Sequence, residues 1–137
     1  MNMRELIREA ICAMHRAYAP YSEFKVGAAL LTKNGKIYHG CNIENAAYGP
    51  SNCAERTAFF KAVSEGERAF DAITIVGGKG EERGDQMCSP CGVCRQVMME
   101  FCRPDEFRII LEDGRGGFNT FLLDELLPLG FGPKNLL

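Results

Sequence analysis

No stretch of this chain is apolar for long enough to cross a membrane. Residues Met1 to Tyr18 carry Arg4, Glu5, Arg8, Glu9 and Arg16 where a secretory signal would have an apolar centre. The expectation is a cytoplasmic protein with no membrane partner. An excess of charge of one sign is also missing. The formal net charge is −2 and no basic cluster stands out, so nothing favours a nucleic acid or an anionic surface as partner. Histidine is scarce: His15 and His39 are the only two, and neither has a ligand-like neighbour in sequence, so both are expected as surface or satisfied side chains. There are no repeats, no low-complexity tract and no linker, which predicts one domain over residues 1–137. That length buries a core without disulfide staples. The glycines at Gly77, Gly78, Gly80 and Gly84 fit neither phosphate-loop spacing, and no helix follows them directly, so 77–87 is predicted to be a surface loop near the pocket rim.

Cysteine is abundant. Seven of them, an odd number without secretory context, suggest reduced thiols, some holding a metal. Cys53-Ala54-Glu55-Arg56 is followed thirty-odd residues later by Ser89-Pro90-Cys91-Gly92-Val93-Cys94. Cys53, Cys91 and Cys94 can hold one zinc and leave a fourth position open, which is the habit of a catalytic rather than a structural site. Glu55, two residues from Cys53, is placed to move protons. Cys91 and Cys94 lie at i and i+3, on one face of a helix that Ser89 is expected to cap and Pro90 to open. Cys53 is expected to start a second helix after Asn52. Three thiolates and a zinc dication carry one net negative charge, which opposes ionising a water at the site. A helix N-terminus offsets negative charge by about 0.3–1 kcal/mol when exposed. Arg56, donating to a cysteine sulfur, would offset more.

These residues also admit plainer readings. Cys88, Cys91 and Cys94 form C-x₂-C-x₂-C, so Cys88 would close a structural zinc knuckle. Asn52 and Glu55 have capping-box spacing. Arg56 would serve as an ordinary surface arginine. Cys12, Cys41 and Cys102 are expected to be small buried side chains.

Periodicity predicts a first helix through Leu6, Ala10, Ile11, Met14 and Ala17, stopped by Pro20. A hairpin follows, Val26 to Thr32 and Ile37 to Cys41, around Asn34-Gly35. After a polar loop, Asn42 to Asn52, come a helix from Cys53 to Ser64 and a strand from Ala72 to Val76. A helix from Pro90 to Phe101 carries Val93, Val97 and Phe101 on one face. Strands Phe107 to Leu111 and Phe118 to Leu122 and a short helix around Asp124 to Leu127 complete the order α-β-β-α-β-α-β-β-α, a mixed sheet with helices packed on it.

Cys-Ala-Glu followed by Pro-Cys-x-x-Cys resembles the zinc nucleobase deaminase signature. Three longer segments narrow the likeness: Pro20 to Leu30 (PYSEFKVGAAL), Gly40 to Tyr48 (GCNIENAAY) and Cys53 to Ala58 (CAERTA), together with the tail Leu126 to Pro133. In this order they resemble the short, homotetrameric class of cytidine deaminases over nearly the whole chain. The resemblance implies a three-layer α/β/α sandwich with a mixed five-stranded sheet. It implies one zinc per subunit on Cys53, Cys91 and Cys94, and hydrolysis of cytidine or deoxycytidine to the uridine and ammonia, as in pyrimidine salvage. Glu55 would take a proton from water, pass it to N3 of the base and later help protonate the leaving amine. Asn42 and Glu44 would bond the 3′-hydroxyl of the sugar, Phe24 would pack on the pyrimidine, and the Ala54 backbone would meet the base edge. Tyr48 and Phe131 would reach the pockets of neighbouring subunits, making active sites at the interfaces of a homotetramer. Within enzymes the alternative substrate is a cytidine-like antibiotic of the blasticidin type. Outside enzymes the alternative is the zinc module closed by Cys88.

Overall fold

The computed structural model of the chain describes residues 2–79, 87–113 and 115–137. Helix α1 (Met3–Met14) opens on Asn2, whose side chain accepts from the Glu5 amide at 2.9 Å. The hairpin β1 (Phe24–Thr32) and β2 (Ile37–Cys41) follows, then α2 (Ala54–Ser64), β3 (Phe70–Lys79), α3 (Gly92–Phe101), β4 (Arg108–Glu112), β5 (Phe118–Leu122) and the short α4 (Leu123–Leu126). A 3₁₀ turn, Pro133–Asn135, lies in the tail.

The five strands form one sheet in the order β2-β1-β3-β4-β5. Only β3 and β4 run parallel; the other pairs are antiparallel. That parallel step requires a crossover, and α3 supplies it. Strict alternation along the inner strands divides the core in two. Ala28, Leu30, Ile73, Ile75, Ile109 and Leu111 face α2, α3 and α4. Ala29, Leu31, Ala72, Val76 and Ile110 face α1, meeting Leu6, Ile7, Ala10 and Met14. The expected three layers are therefore present. Phe59 anchors the larger core, fully buried and edge-on to Phe70 with ring centroids 5.1 Å apart.

Two glycines let helices touch the sheet. A Cβ on Gly40 would lie 2.2 Å from the Ala54 carbonyl oxygen and 2.6 Å from the Ala58 nitrogen. A Cβ on Gly27 would lie 2.1 Å from the Ala10 carbonyl oxygen. Gly40 thus seats the first turn of α2, and Gly27 seats α1 on the opposite face.

Several local expectations shift. Strand β3 is longer than predicted: Gly77, Gly78 and Lys79 pair with Val26, Lys25 and Phe24. The predicted loop accordingly loses its first three residues to the sheet, and its stretch 80–86 lies outside the described residues. Val97 and Phe101 pack on the larger core as expected, but Val93 is 57% exposed, and the most buried residues of α3 are Cys94, Met98 and Met99. Cys12 is exposed; Cys41 and Cys102 are partly covered. His39 Nε2 meets Glu9 Oε1 at 3.3 Å. Among the described residues no helix is long and apolar enough to cross a membrane.

Candidate active site

Both metal helices begin on a cysteine. Cys53 is the N-cap of α2 and Cys91 the N-cap of α3, each in extended backbone and neither making a side-chain cap hydrogen bond. Their carbonyls accept the first helical amides, from Thr57 at 3.1 Å and from Arg95 at 3.0 Å. An N-cap side chain normally offers an oxygen to the free amides of the first turn. Here two sulfurs stand at the positive ends of two helices, the place that favours an anion. The helices start one and two residues later than the sequence predicts, since Asn52 and Ser89 do not act as caps. The Asn52 amide donates to the Ile43 carbonyl at 2.9 Å, and its side chain donates to Thr57 Oγ1 at 3.2 Å, so no capping box with Glu55 forms. The Pro90 carbonyl accepts from Arg95 Nε at 2.7 Å.

Cys94, one turn into α3, completes a trio whose sulfurs all lie within 4.8 Å of one another. Cys53 and Cys91 are 3.8 Å apart, and Cys91 and Cys94 3.5 Å. Tetrahedral zinc with bonds of about 2.3 Å spaces its sulfurs by about 3.8 Å, so the trio fits zinc in both donor chemistry and distance. The Cys53 thiol is pushed down to about 5, first by the hydrogen bond from Cys94 and next by that from Arg56. Arg56 Nη2 donates to the Cys53 sulfur at 3.3 Å, the position expected of a residue that tempers anionic charge. Cys88 is not part of the cluster. It packs on β3, where a Cβ added to Gly77 would meet its sulfur at 2.9 Å, and burial first pushes its thiol up to about 12. Its side chain also lines the cavity that Cys53 and Cys91 line, but its sulfur lies outside the cluster of three.

Glu55 follows Cys53 by two residues and is 5% exposed. Burial pushes its carboxyl up to about 7, and the nearby Cys53 adds to the rise. A group at that value gives and takes protons near neutral pH.

Cys53, Cys91, Glu55, Arg56 and Ala54 line a cavity of about 720 Å³. Asn42, Glu44 and Tyr48 line it too. The Asn42 side chain is pinned at both ends, its Oδ1 accepting from the Val26 amide at 2.8 Å and its Nδ2 donating to the Phe24 carbonyl at 2.8 Å. Glu44 Oε1 accepts from the amides of Tyr21 and Ser22 at 3.0 and 3.1 Å, and Oε2 accepts from the Ser22 hydroxyl. The Ser22 hydroxyl bond is the main cause holding the Glu44 carboxyl below its usual range. Phe24 and Phe131 are not among the lining residues. Phe24 begins β1, and Phe131 is 57% exposed in the tail, where its carbonyl accepts from Gln96 Nε2 at 2.8 Å. Tyr48 is 94% exposed. Sequence reasoning missed Tyr21 and Ser22, both on the cavity wall. The available signal was a serine two residues before Phe24, the spacing of a side-chain-to-backbone turn.

Comparison with known proteins gives a consistent picture. Residues 1–109 match the family described as the cytidine and deoxycytidylate deaminase zinc-binding region. A cytidine deaminase from Sporosarcina psychrophila is 48% identical over 136 residues, 99% of this chain and 96% of the relative. The crystal structure of a cytidine deaminase from Burkholderia pseudomallei is 47% identical and superposes with a TM-score of 0.87, over 96% of this chain and 100% of that one. That of a cytidine deaminase from Mycobacterium tuberculosis is 36% identical with a TM-score of 0.80, over 96% and 98%.

Proposed function

We propose that this chain, which belongs to the cytidine and deoxycytidylate deaminase family, hydrolyses the 4-amino group of cytidine and 2′-deoxycytidine, giving the corresponding uridine and ammonia. The observation that carries this reading is the buried Glu55 beside three convergent thiols, two of which, Cys53 and Cys91, line one nucleoside-sized cavity with it. Zinc on Cys53, Cys91 and Cys94 supplies a Lewis acid that makes water a nucleophile near neutral pH. Glu55 would take one proton from water and deliver it to N3 of the pyrimidine, then take the second from the new C4 hydroxyl and pass it to the amino group, which leaves as ammonia as C4 becomes a carbonyl. A carboxyl raised toward neutrality by burial suits both directions of transfer. Arg56, bonded to the Cys53 sulfur, lowers the effective charge of the thiolates.

Asn42 and Glu44 hold the 3′-hydroxyl of the sugar, an amide and a carboxylate being natural partners for a hydroxyl. The Ala54 backbone meets the base edge, and Phe24 packs on the pyrimidine from the start of β1. Tyr48 and Phe131 complete the pocket of a neighbouring subunit in a homotetramer. Their support is the exposure of both rings, together with Leu129 beside Phe131, which leaves apolar surface uncovered in a single chain. The chain acts as one domain over residues 1–137 in the cytoplasm. One sheet spanning β1 to β5 supports the first statement, and the lack of a membrane-length helix among the described residues agrees with the second.

The test is loss of ultraviolet absorbance with cytidine, deoxycytidine, cytosine, adenosine and a blasticidin-type antibiotic, run beside zinc quantitation and sedimentation. Turnover of the first two alone, with one zinc per chain and a tetramer in solution, is the expected result. Turnover of the antibiotic in preference to cytidine overturns the substrate assignment, and a fully active monomer overturns the roles of Tyr48 and Phe131.

A further inference from the structure

We infer that Ser22 is a positioning residue that fixes the Glu44 carboxylate toward the nucleoside sugar, and that the left-handed backbone at Glu23 holds Ser22 in place. The inference rests on the sugar-hydroxyl reading of Asn42 and Glu44 given above. Its basis is how few residues serve both side chains. The partners of Glu44 are the Tyr21 amide, the Ser22 amide and the Ser22 hydroxyl. The partners of Asn42 are the Val26 amide and the Phe24 carbonyl. A single stretch from Tyr21 to Val26 therefore orients both.

Ser22 is the hinge of that arrangement. Its hydroxyl oxygen accepts from the Phe24 amide at 3.0 Å while its hydrogen goes to Glu44 Oε2. Two acceptors are within reach of that hydrogen, Glu44 Oε2 and, at 3.5 Å, the Phe24 carbonyl; the carboxylate is the nearer and the charged one. Between the two residues Glu23 has φ of 60°, an uncommon conformation for a residue with a Cβ. Such conformations persist where surrounding bonds enforce them, and here the Glu23 amide is tied to the Ala19 carbonyl at 3.0 Å. The carboxylate has roughly four acceptor positions, and donors among the described residues fill three of them, which leaves one on Oε2 for a hydroxyl of the substrate. Without the Ser22 hydroxyl, Oε2 loses the donor that stops the carboxylate group from rotating, and the sugar meets a carboxylate that must be ordered on binding.

The experiment compares cytidine with 3′-deoxycytidine on the zinc-loaded full chain and on Ser22→Ala, Ser22→Thr, Glu23→Val and Glu44→Ala. A hydrogen bond to a charged group is worth enough that Ser22→Ala is expected to raise KM for cytidine about tenfold. Its kcat stays within about twofold, its zinc content stays unchanged, and KM for 3′-deoxycytidine does not move, because the hydrogen bond in question acts on binding and on one hydroxyl. Ser22→Thr keeps the hydroxyl and restores the parent KM. Glu23→Val, β-branched at a positive φ, reproduces the Ser22→Ala pattern. Equal KM shifts for both nucleosides in Ser22→Ala, or no shift in either, overturn the inference. Failure of the underlying reading looks different: Glu44→Ala would then retain the parent preference for the 3′-hydroxyl. Loss of that preference in Glu44→Ala together with its survival in Ser22→Ala overturns the role of Ser22 alone.

Discussion

Replacing Gly40 by alanine tests whether the metal site depends on how closely α2 sits on the sheet. The added Cβ would stand 2.2 Å from the Ala54 carbonyl oxygen, where nonbonded contact needs more than 3 Å, so α2 must retreat by about 1 Å. The obstacle is backbone, with no flexible side-chain end to turn aside. Overpacking of this kind costs about 1–3 kcal/mol, and for a chain of this size each kcal/mol lowers Tm by about 2–4 °C. A cost at the upper end lowers Tm by about 6–12 °C. Ala54 follows Cys53 directly, so the retreat carries one sulfur away from the other two. Metal sites tolerate about 0.2 Å in ligand distance, and a shift of about 1 Å is expected to weaken zinc by at least about tenfold. Gly27→Ala is the control. Its Cβ would stand 2.1 Å from the Ala10 carbonyl oxygen, a clash of the same severity against α1 on the other face. It is expected to lower Tm comparably while keeping zinc affinity and activity once folded. Thermal unfolding followed by circular dichroism, with zinc affinity by chelator competition below each Tm, reads both quantities. A Gly40→Ala protein within about 2 °C of the parent, or equal zinc loss in both variants, refutes the reasoning.

Other substitutions probe the chemistry and the core. Glu55→Gln removes the proposed proton carrier and leaves the sulfurs untouched, so zinc stoichiometry and Tm are expected to hold while kcat falls by about 10²-fold or more in the absorbance assay. Cys88→Ser is expected to keep full zinc content by atomic absorption, since its sulfur lies on β3 outside the thiol cluster; release of the metal would restore the structural-knuckle reading. Phe59→Ala empties the centre of the larger core, where the ring is fully buried against Phe70, and should cost about 3–5 kcal/mol in urea unfolding.

The order of elements was legible because the continuous apolar runs of β1 and β3 and the helical period of α1 are strong, local signals. Helix starts were harder to read. The usual preference places Ser89 and Asn52 at the caps, but thiols gathered for a metal have taken those positions. The far end of β3 was hidden because Gly77 and Gly78 carry no strand propensity; pairing with Val26 and Lys25 makes them strand all the same. Val93 misled because an apolar residue at helical spacing was assigned to the core, whereas α3 turns Cys94 and Met98 inward. At the site, the zinc trio and Glu55 could be read from spacing, since a cap and a third helical position fall on one side of a helix. The partners of Glu44 could not, because Ser22 lies 22 positions away in the chain and only the fold brings them together.

The two N-cap cysteines also bear on how the chain folds. Cys53 and Cys91 are 38 positions apart, so an ion held between them ties the intervening segment, including α2 and β3, into a covalent-like ring. Closing such a ring removes conformations from the unfolded ensemble, and metal affinity then becomes folding free energy. Because closure entropy grows only with the logarithm of ring size, doubling the chain between the two cysteines would cost about 0.6 kcal/mol. The family chemistry can therefore tolerate large changes of length between its two motifs, so long as both helices still begin on a thiol.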